Sequence, residues 1–146
     1  MSVITITAAD VNKLRTQTGA GMMDCKKALT EANGDFEAAI DILRKKGQKI
    51  AANRQDREAK EGYVYGKVTA DGKTGVVVAV CCETDFVAKN ADFIKYGESI
   101  LELAVANKPA SADDLKNLKL GNQTVGESLI EQMGKIGEKI DVVDYQ

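Results

Sequence analysis

Apolar residues in the first third of the chain recur at helical spacing, broken by glycine. Val11 and Leu14 lie three apart behind Thr7-Ala8-Ala9-Asp10, where Thr7 suits an N-cap and Asp10 places a carboxylate in the first turn. Thr18-Gly19-Ala20-Gly21 closes that helix, because glycine takes backbone angles that other residues resist. A second helix is predicted from about Met23, with Cys25, Ala28, Leu29 and Ala32 as one stripe. Asn33-Gly34 ends it, and Asp35 caps a third helix that carries Phe36, Ala39, Ile40 and Leu43 on one face. Three short amphipathic helices joined by glycine turns predict a compact bundle over roughly Thr5 to Lys46. The next stretch mixes Arg44, Lys45, Lys46, Lys49, Arg54 and Arg57 with acidic residues and has no strong period, so it reads as an exposed helical extension or linker.

The period then changes. Tyr63 to Val68 reads as a strand, Asp71-Gly72 as a hairpin turn, and Gly75 to Cys82 as a well-covered, β-branched strand. A helix is predicted from about Asp92, with Phe93, Ile100, Leu101, Ala104 and Val105 inward, broken at Lys108-Pro109. Asp113 to Leu118 has room for a short helix, and Thr124 to Ile136 is amphipathic through Val125, Leu129, Met133 and Ile136. Lys139 to Val143 reads as a last strand. The expected fold class is α+β. A three-helix module with its linker occupies residues 1–55, and a core module with an antiparallel hairpin and helices occupies residues 56–146.

Composition narrows the chemistry. The 146 residues carry a formal net charge of −2, which argues against binding nucleic acid as a bulk polycation. Histidine is absent, and with it the commonest general base and metal ligand. No catalytic residue, metal ligand or cofactor is therefore expected. The three cysteines, Cys25, Cys81 and Cys82, give no disulfide framework and suit a reduced, cytoplasmic compartment. The start from Met1 to Thr5 lacks a basic and long apolar leader pattern, and no stretch has the length of a membrane span.

Short motifs are weak. Gly72-Lys73-Thr74 lacks the earlier glycine of a phosphate-binding loop and leads into a strand. Gly19-Ala20-Gly21 has Asp24 where a dinucleotide fingerprint needs its third glycine. Cys81-Cys82 reads as packing before redox chemistry. Met22-Met23 reads as one core and one part-exposed residue, or as an adaptable partner contact between Arg15 and Lys26. Thr84-Asp85-Phe86-Val87 follows the apolar strand. Its plain reading is a helix cap and a core phenylalanine; its functional reading is an exposed wedge beside a carboxylate.

Two longer patterns carry a resemblance. Leu14-Arg15 followed by Thr18 to Leu29 (TGAGMMDCKKAL) resembles the N-terminal signature of the bacterial translation elongation factor Ts family, and Thr84 to Asn90 (TDFVAKN) resembles its second signature. The resemblance extends over essentially the whole chain and is weakest from Lys108 to Thr124. It implies an ubiquitin-associated-like bundle followed by the first half of the family's core, and a guanine-nucleotide exchange factor, not an enzyme. The implied partner is elongation factor Tu, GDP-bound or nucleotide-free, with no direct nucleic acid and no membrane. The implied contacts are Arg15, Met22, Met23 and Lys26 on the bundle, then Thr84, Asp85, Phe86 and Val87 beside the magnesium and phosphate site of Tu, and Ile136 and Gly137 against its GTPase domain. Family members usually continue into a second core half, so the resemblance also admits a fragment that docks without exchange, or a homodimer through the core module.

Overall fold

The computed structural model describes residues 4–146, so residues 1–3 at the start of the expected leader-free segment lie outside the described residues. Helix α1 (Ala8–Thr18) opens with a capping box, in which Thr7 Oγ1 accepts from the Asp10 N–H and the Asp10 carboxylate accepts from the Thr7 N–H. Gly19 ends it at φ +69°, in the left-handed region. Helix α2 (Met22–Glu31) follows, and the Asn33-Gly34 pair then turns left-handed at both residues. Asp35 caps helix α3 (Phe36–Asn53) through the Ala38 N–H. Val11, Leu14, Cys25, Ala28, Leu29 and Ala39 form the buried centre of this three-helix bundle.

The charged stretch from Arg44 is the helical extension expected, with Arg44, Lys45, Lys46, Lys49 and Arg57 exposed and Arg54 half-buried. Helix α3 continues through it to Asn53, and Gly47 is buried. The outward face is polar, as the composition demands, but the inward face lacks bulk at Gly47 and lets a later helix approach.

Strand β1 (Glu61–Val68) starts before Tyr63 and pairs antiparallel with β2 (Gly75–Cys82) in register, Glu61 opposite Cys82 and Val68 opposite Gly75. A short helix α4 (Asp85–Ala88) and a long α5 (Ala91–Asn107) come next, α5 capped by the Asn90 side chain and ended by Lys108 at φ +47°. Helix α6 (Ala112–Asn117) leads to a two-residue ladder, β3 (Lys119–Leu120) with β4 (Gln123–Thr124), too short to have left a period in the sequence. Helix α7 (Val125–Ile136) opens on a second capping box and closes on Gly137 at φ +78°. Strand β5 (Asp141–Tyr145) sits two residues later than expected and completes a sheet of order β1-β2-β5, with a bulge at Ala79/Val80.

The architecture is thus the mixed helix-and-sheet class that the periods predict. One face of the sheet, bearing Tyr65, Val76, Val78, Val80 and Cys82, packs on Phe93, Ile100, Leu129 and Ile140. The other face corrects the picture of a well-covered strand: Val64, Val68 and Val77 on it are exposed, as is Val143 of β5. An all-apolar run hides this alternation, because both faces of β2 read alike.

Candidate functional site

Thr84 occupies the N-cap of α4 and its hydroxyl oxygen accepts from the Val87 N–H at 3.5 Å. Ala88 is buried and Val87 packs partly into the core, so one side of this single turn is anchored. The other side projects. Phe86 is 85% exposed, although its environment is ordered by hydrogen bonds on both flanks. The core reading of Phe86 is therefore overturned, while the cap reading of Thr84 holds. Asp85 pairs with Lys89 one turn on, at 3.1 Å, and both side chains stay largely in solvent. A surface pair of this kind contributes little and exchanges partners readily.

Ile136 and Gly137 end α7, and Ile136 is partly buried against the core. The next residue fastens this end to the Phe86 turn. The Glu138 carboxylate accepts from the Glu83 N–H at 3.1 Å, the Thr84 N–H at 2.9 Å and the Thr84 hydroxyl at 2.7 Å. The Glu83 carboxylate in turn accepts from the Lys139 N–H at 2.7 Å and from Arg54 at 2.7 and 2.9 Å. Arg57 stands 3.8 Å away. Burial opposes the charge on Glu83, but the Lys139 N–H and the Arg54 and Arg57 guanidinium groups outweigh it and hold the carboxyl below its ordinary value. Lys139 Nζ donates to the carbonyls of Gln55 and Arg57 at 2.8 and 3.1 Å. Sequence reasoning singled out neither Glu83 nor Glu138, and their partners lie too far along the chain for any local pattern to reveal.

The other predicted residues sit on the bundle. Met22 and Met23, at the first turn of α2, are 52% and 63% exposed, so neither is a core residue. Arg15 in the last turn of α1 and Lys26 on α2 are exposed as well. Among the described residues, no hydrogen bond or ion pair of these four side chains reaches the Thr84–Val87 turn. The structure thus gives two surfaces, one on the bundle and one at the core.

Little else at these surfaces is reactive. Burial, then the nearby Glu138, push the Cys82 thiol up to about 11, and it donates to the Thr84 carbonyl at 3.2 Å. A thiol held protonated is a poor nucleophile, so the geometry gives redox chemistry no support. Among the described residues no cluster of acidic or cysteine side chains could hold a metal ion, and no helix is long and apolar enough to cross a membrane. An open cleft of about 410 Å³ between α3 and α7 contains none of the predicted residues, and two of its lysines are neutralised in the pairs Lys46–Asp24 and Lys135–Glu131.

Comparison with known proteins agrees with the two signatures. The Elongation factor TS family model matches residues 83–146, which include Phe86 and Glu138. The chain is 59% identical over 142 residues to the elongation factor Ts of Cytophaga hutchinsonii, covering 97% of this chain and 51% of that protein. It is 54% identical over 140 residues to the elongation factor Ts of Bacteroides thetaiotaomicron, 96% of this chain and 42% of that one. The Flavobacterium johnsoniae elongation factor Ts is 53% identical over 145 residues, 97% of this chain and 44% of that one. The chain spans about half the length of the curated relatives it matches.

Proposed function

Since the chain belongs to the elongation factor Ts family, we propose that it binds elongation factor Tu and promotes release of GDP in translation elongation. In this reading the bundle surface of Arg15, Met22, Met23 and Lys26 docks on the GTPase domain of Tu. Phe86 enters between apolar elements of Tu near its magnesium and phosphate site. Asp85 leaves Lys89 for a hydrogen bond there, and Ile136-Gly137 lies alongside. No covalent bond is made or broken by these residues, so the role is that of a cytoplasmic exchange factor without a cofactor of its own, and its partner is a protein and not RNA or a membrane.

The observation that carries the reading is the exposure of Phe86 on a turn that is tied down on both sides. A solvated aromatic ring on a rigid mount is the arrangement of a binding anchor. The energetics follow from linkage. If the factor loosens the phosphate and magnesium contacts of GDP, then nucleotide loosens the factor by the same amount, because coupling between two ligands is reciprocal. GTP entry then ejects the factor and the cycle closes.

Release of a fluorescent GDP analogue from Tu, with and without the chain, is the test. Burying a phenylalanine is worth about 1.5–3 kcal/mol, so Phe86→Ala is expected to lower the acceleration about tenfold to a hundredfold. The same variant is expected to keep its folding stability within about 0.5 kcal/mol, since the ring supports no core. Docking without release is the second reading, since the exposed Met22 and Met23 of the bundle can bind without any action of Phe86. Binding with no acceleration would establish it, and no binding at all would end the assignment of Tu as partner.

A further inference from the structure

Three chain segments that are far apart in sequence meet directly behind Phe86, and what joins them is a pair of carboxylates acting in opposite directions. The strand end gives two N–H groups and a hydroxyl, from Glu83 and Thr84, to Glu138. The end of α7 returns one N–H, that of Lys139, to Glu83. Each segment therefore holds the other by its backbone. Arg54 at the C-cap of α3 neutralises Glu83 through two contacts, and Lys139 Nζ binds two carbonyls of the loop that follows α3. Glu83 is largely withdrawn from water, its side chain 13% exposed.

Resting on the exchange reading above, we propose that Glu83 and Glu138 form a reciprocal clamp that fixes the direction of Phe86 and keeps Ile136-Gly137 beside it, which makes both of them positioning residues for nucleotide release. Three features favour this over simple loop stability. The bonds fall on the two residues that immediately precede α4, where a small rotation swings Phe86 through a wide arc. The turn is a single helical turn of four residues, too short to hold its own axis. Its remaining anchors are the packing of Val87 and Ala88 and one thiol bond, from Cys82 to the Thr84 carbonyl, against the three bonds that Glu138 accepts. A side chain meant to enter a partner gains when its bound direction is fixed beforehand, since less freedom is lost on association.

The chemistry distinguishes two replacements of Glu138. Glutamine keeps a carbonyl oxygen for the two N–H groups, and its amide donates to the Thr84 hydroxyl oxygen in reverse polarity. Alanine removes all three bonds. Hydrogen bonds to a charged acceptor are among the stronger ones, so Glu138→Ala is expected to lower the maximal rate of GDP release about tenfold or more. The concentration of chain giving half-maximal release is expected to stay within about threefold, because the bundle surface is untouched. Glu138→Gln is expected to restore most of the rate.

Amide hydrogen exchange on the free chain supplies a readout that needs no partner. Faster exchange at Glu83 and Thr84 in the alanine variant, and near-native exchange in the glutamine variant, supports the clamp. Unchanged exchange in both, or an unchanged maximal rate in a folded alanine variant, overturns it. Global unfolding of the alanine variant moves the same comparison to Glu83→Ala, which removes the acceptor for the Lys139 N–H and the charge facing Arg54. If that variant shows native protection at Thr84 and Lys139 and a native release rate, the clamp is refuted. A wild-type chain that fails to release GDP refutes the exchange reading alone, and the hydrogen-exchange comparison then still decides whether the clamp holds Phe86.

Discussion

Residue chemistry around Phe86 turns on which carboxylates stay charged. Glu83 is held ionised by Lys139 N–H, Arg54 and Arg57 against the cost of its burial, and its folded value lies below the ordinary 4.5. The sign is that of a depressed acid. Its stabilisation is fully present above the unfolded value and is lost as pH falls through the folded one. Urea unfolding between pH 6 and pH 3 is expected to show wild-type stability falling below about pH 4.5, with Glu83→Gln less stable at pH 6 and flatter below. Parallel curves for the two proteins would show that Glu83 is not the titrating group. At the same scale, part of the site was legible and part was not. Thr84 as a cap and Asp85-Phe86 as a loop feature follow from adjacent residues. That Phe86 stands outside while Phe93 lies inside does not, since both are phenylalanines near helix starts and only the sheet decides which one meets the core. Glu138 was invisible because a pair 54 residues apart leaves no local period.

Elements show how a polar run became a packed helix. The stretch after Arg44 holds few apolar residues, and its glycine at 47 looks like a breaker. In the fold that glycine is where α3 crosses α7. A Cβ on Gly134 would lie 2.9 Å from Gly47 Cα, and one on Gly47 would lie 3.0 Å from the Ile130 carbonyl oxygen. Backbone, not side chain, stands in the way, so neither helix can yield cheaply. Alanine at position 134 improves intrinsic helix propensity by up to about 1 kcal/mol, but overpacking costs about 1–3 kcal/mol, and the second effect wins. Gly134→Ala is therefore expected to lower unfolding free energy. Gly126→Ala, whose Cβ would meet its nearest neighbour at 3.4 Å, is expected to be close to neutral. Chemical denaturation of both variants checks this, and a stabilised Gly134→Ala would mean that the crossing is looser than the structure draws it. Because α3 carries Arg54 at its end, a shifted crossing also reaches the clamp behind Phe86.

At the scale of the whole molecule, the sheet is covered on one side only. Its periods predicted its three strands and their class, with the start of β1 and the whole of β5 off by two residues, yet they gave no sign of the bare face, because β2 is apolar on both sides, Val76, Val78 and Val80 on one and Val77 and Ala79 on the other. Val64 and Val68 on β1, at 66% and 65% exposure, stand beside Val77, and Val143 at 54% adds to them from β5. Apolar residues clustered on one flat sheet face normally meet a second layer, as two sheets do in a sandwich. The proposed occupant is a second copy of the chain, because the same face on two molecules is self-complementary under a two-fold axis and both outer strands have free edges. Sedimentation of the purified chain is expected to show a concentration-dependent dimer. Val77→Lys puts a charge at the centre of that face, and it is expected to return the chain to monomer with its helices and its Phe86 turn unchanged by circular dichroism and hydrogen exchange. A wild-type chain that stays monomeric at the highest concentration reachable would exclude the second copy and leave the face to a different covering layer. In this proposal the dimer face and the Phe86 turn are separate surfaces. The bare face lies opposite the helices that pack on the sheet, so the monomeric variant should release GDP as the parent does, and a variant that loses release along with the dimer would show that the two surfaces act together.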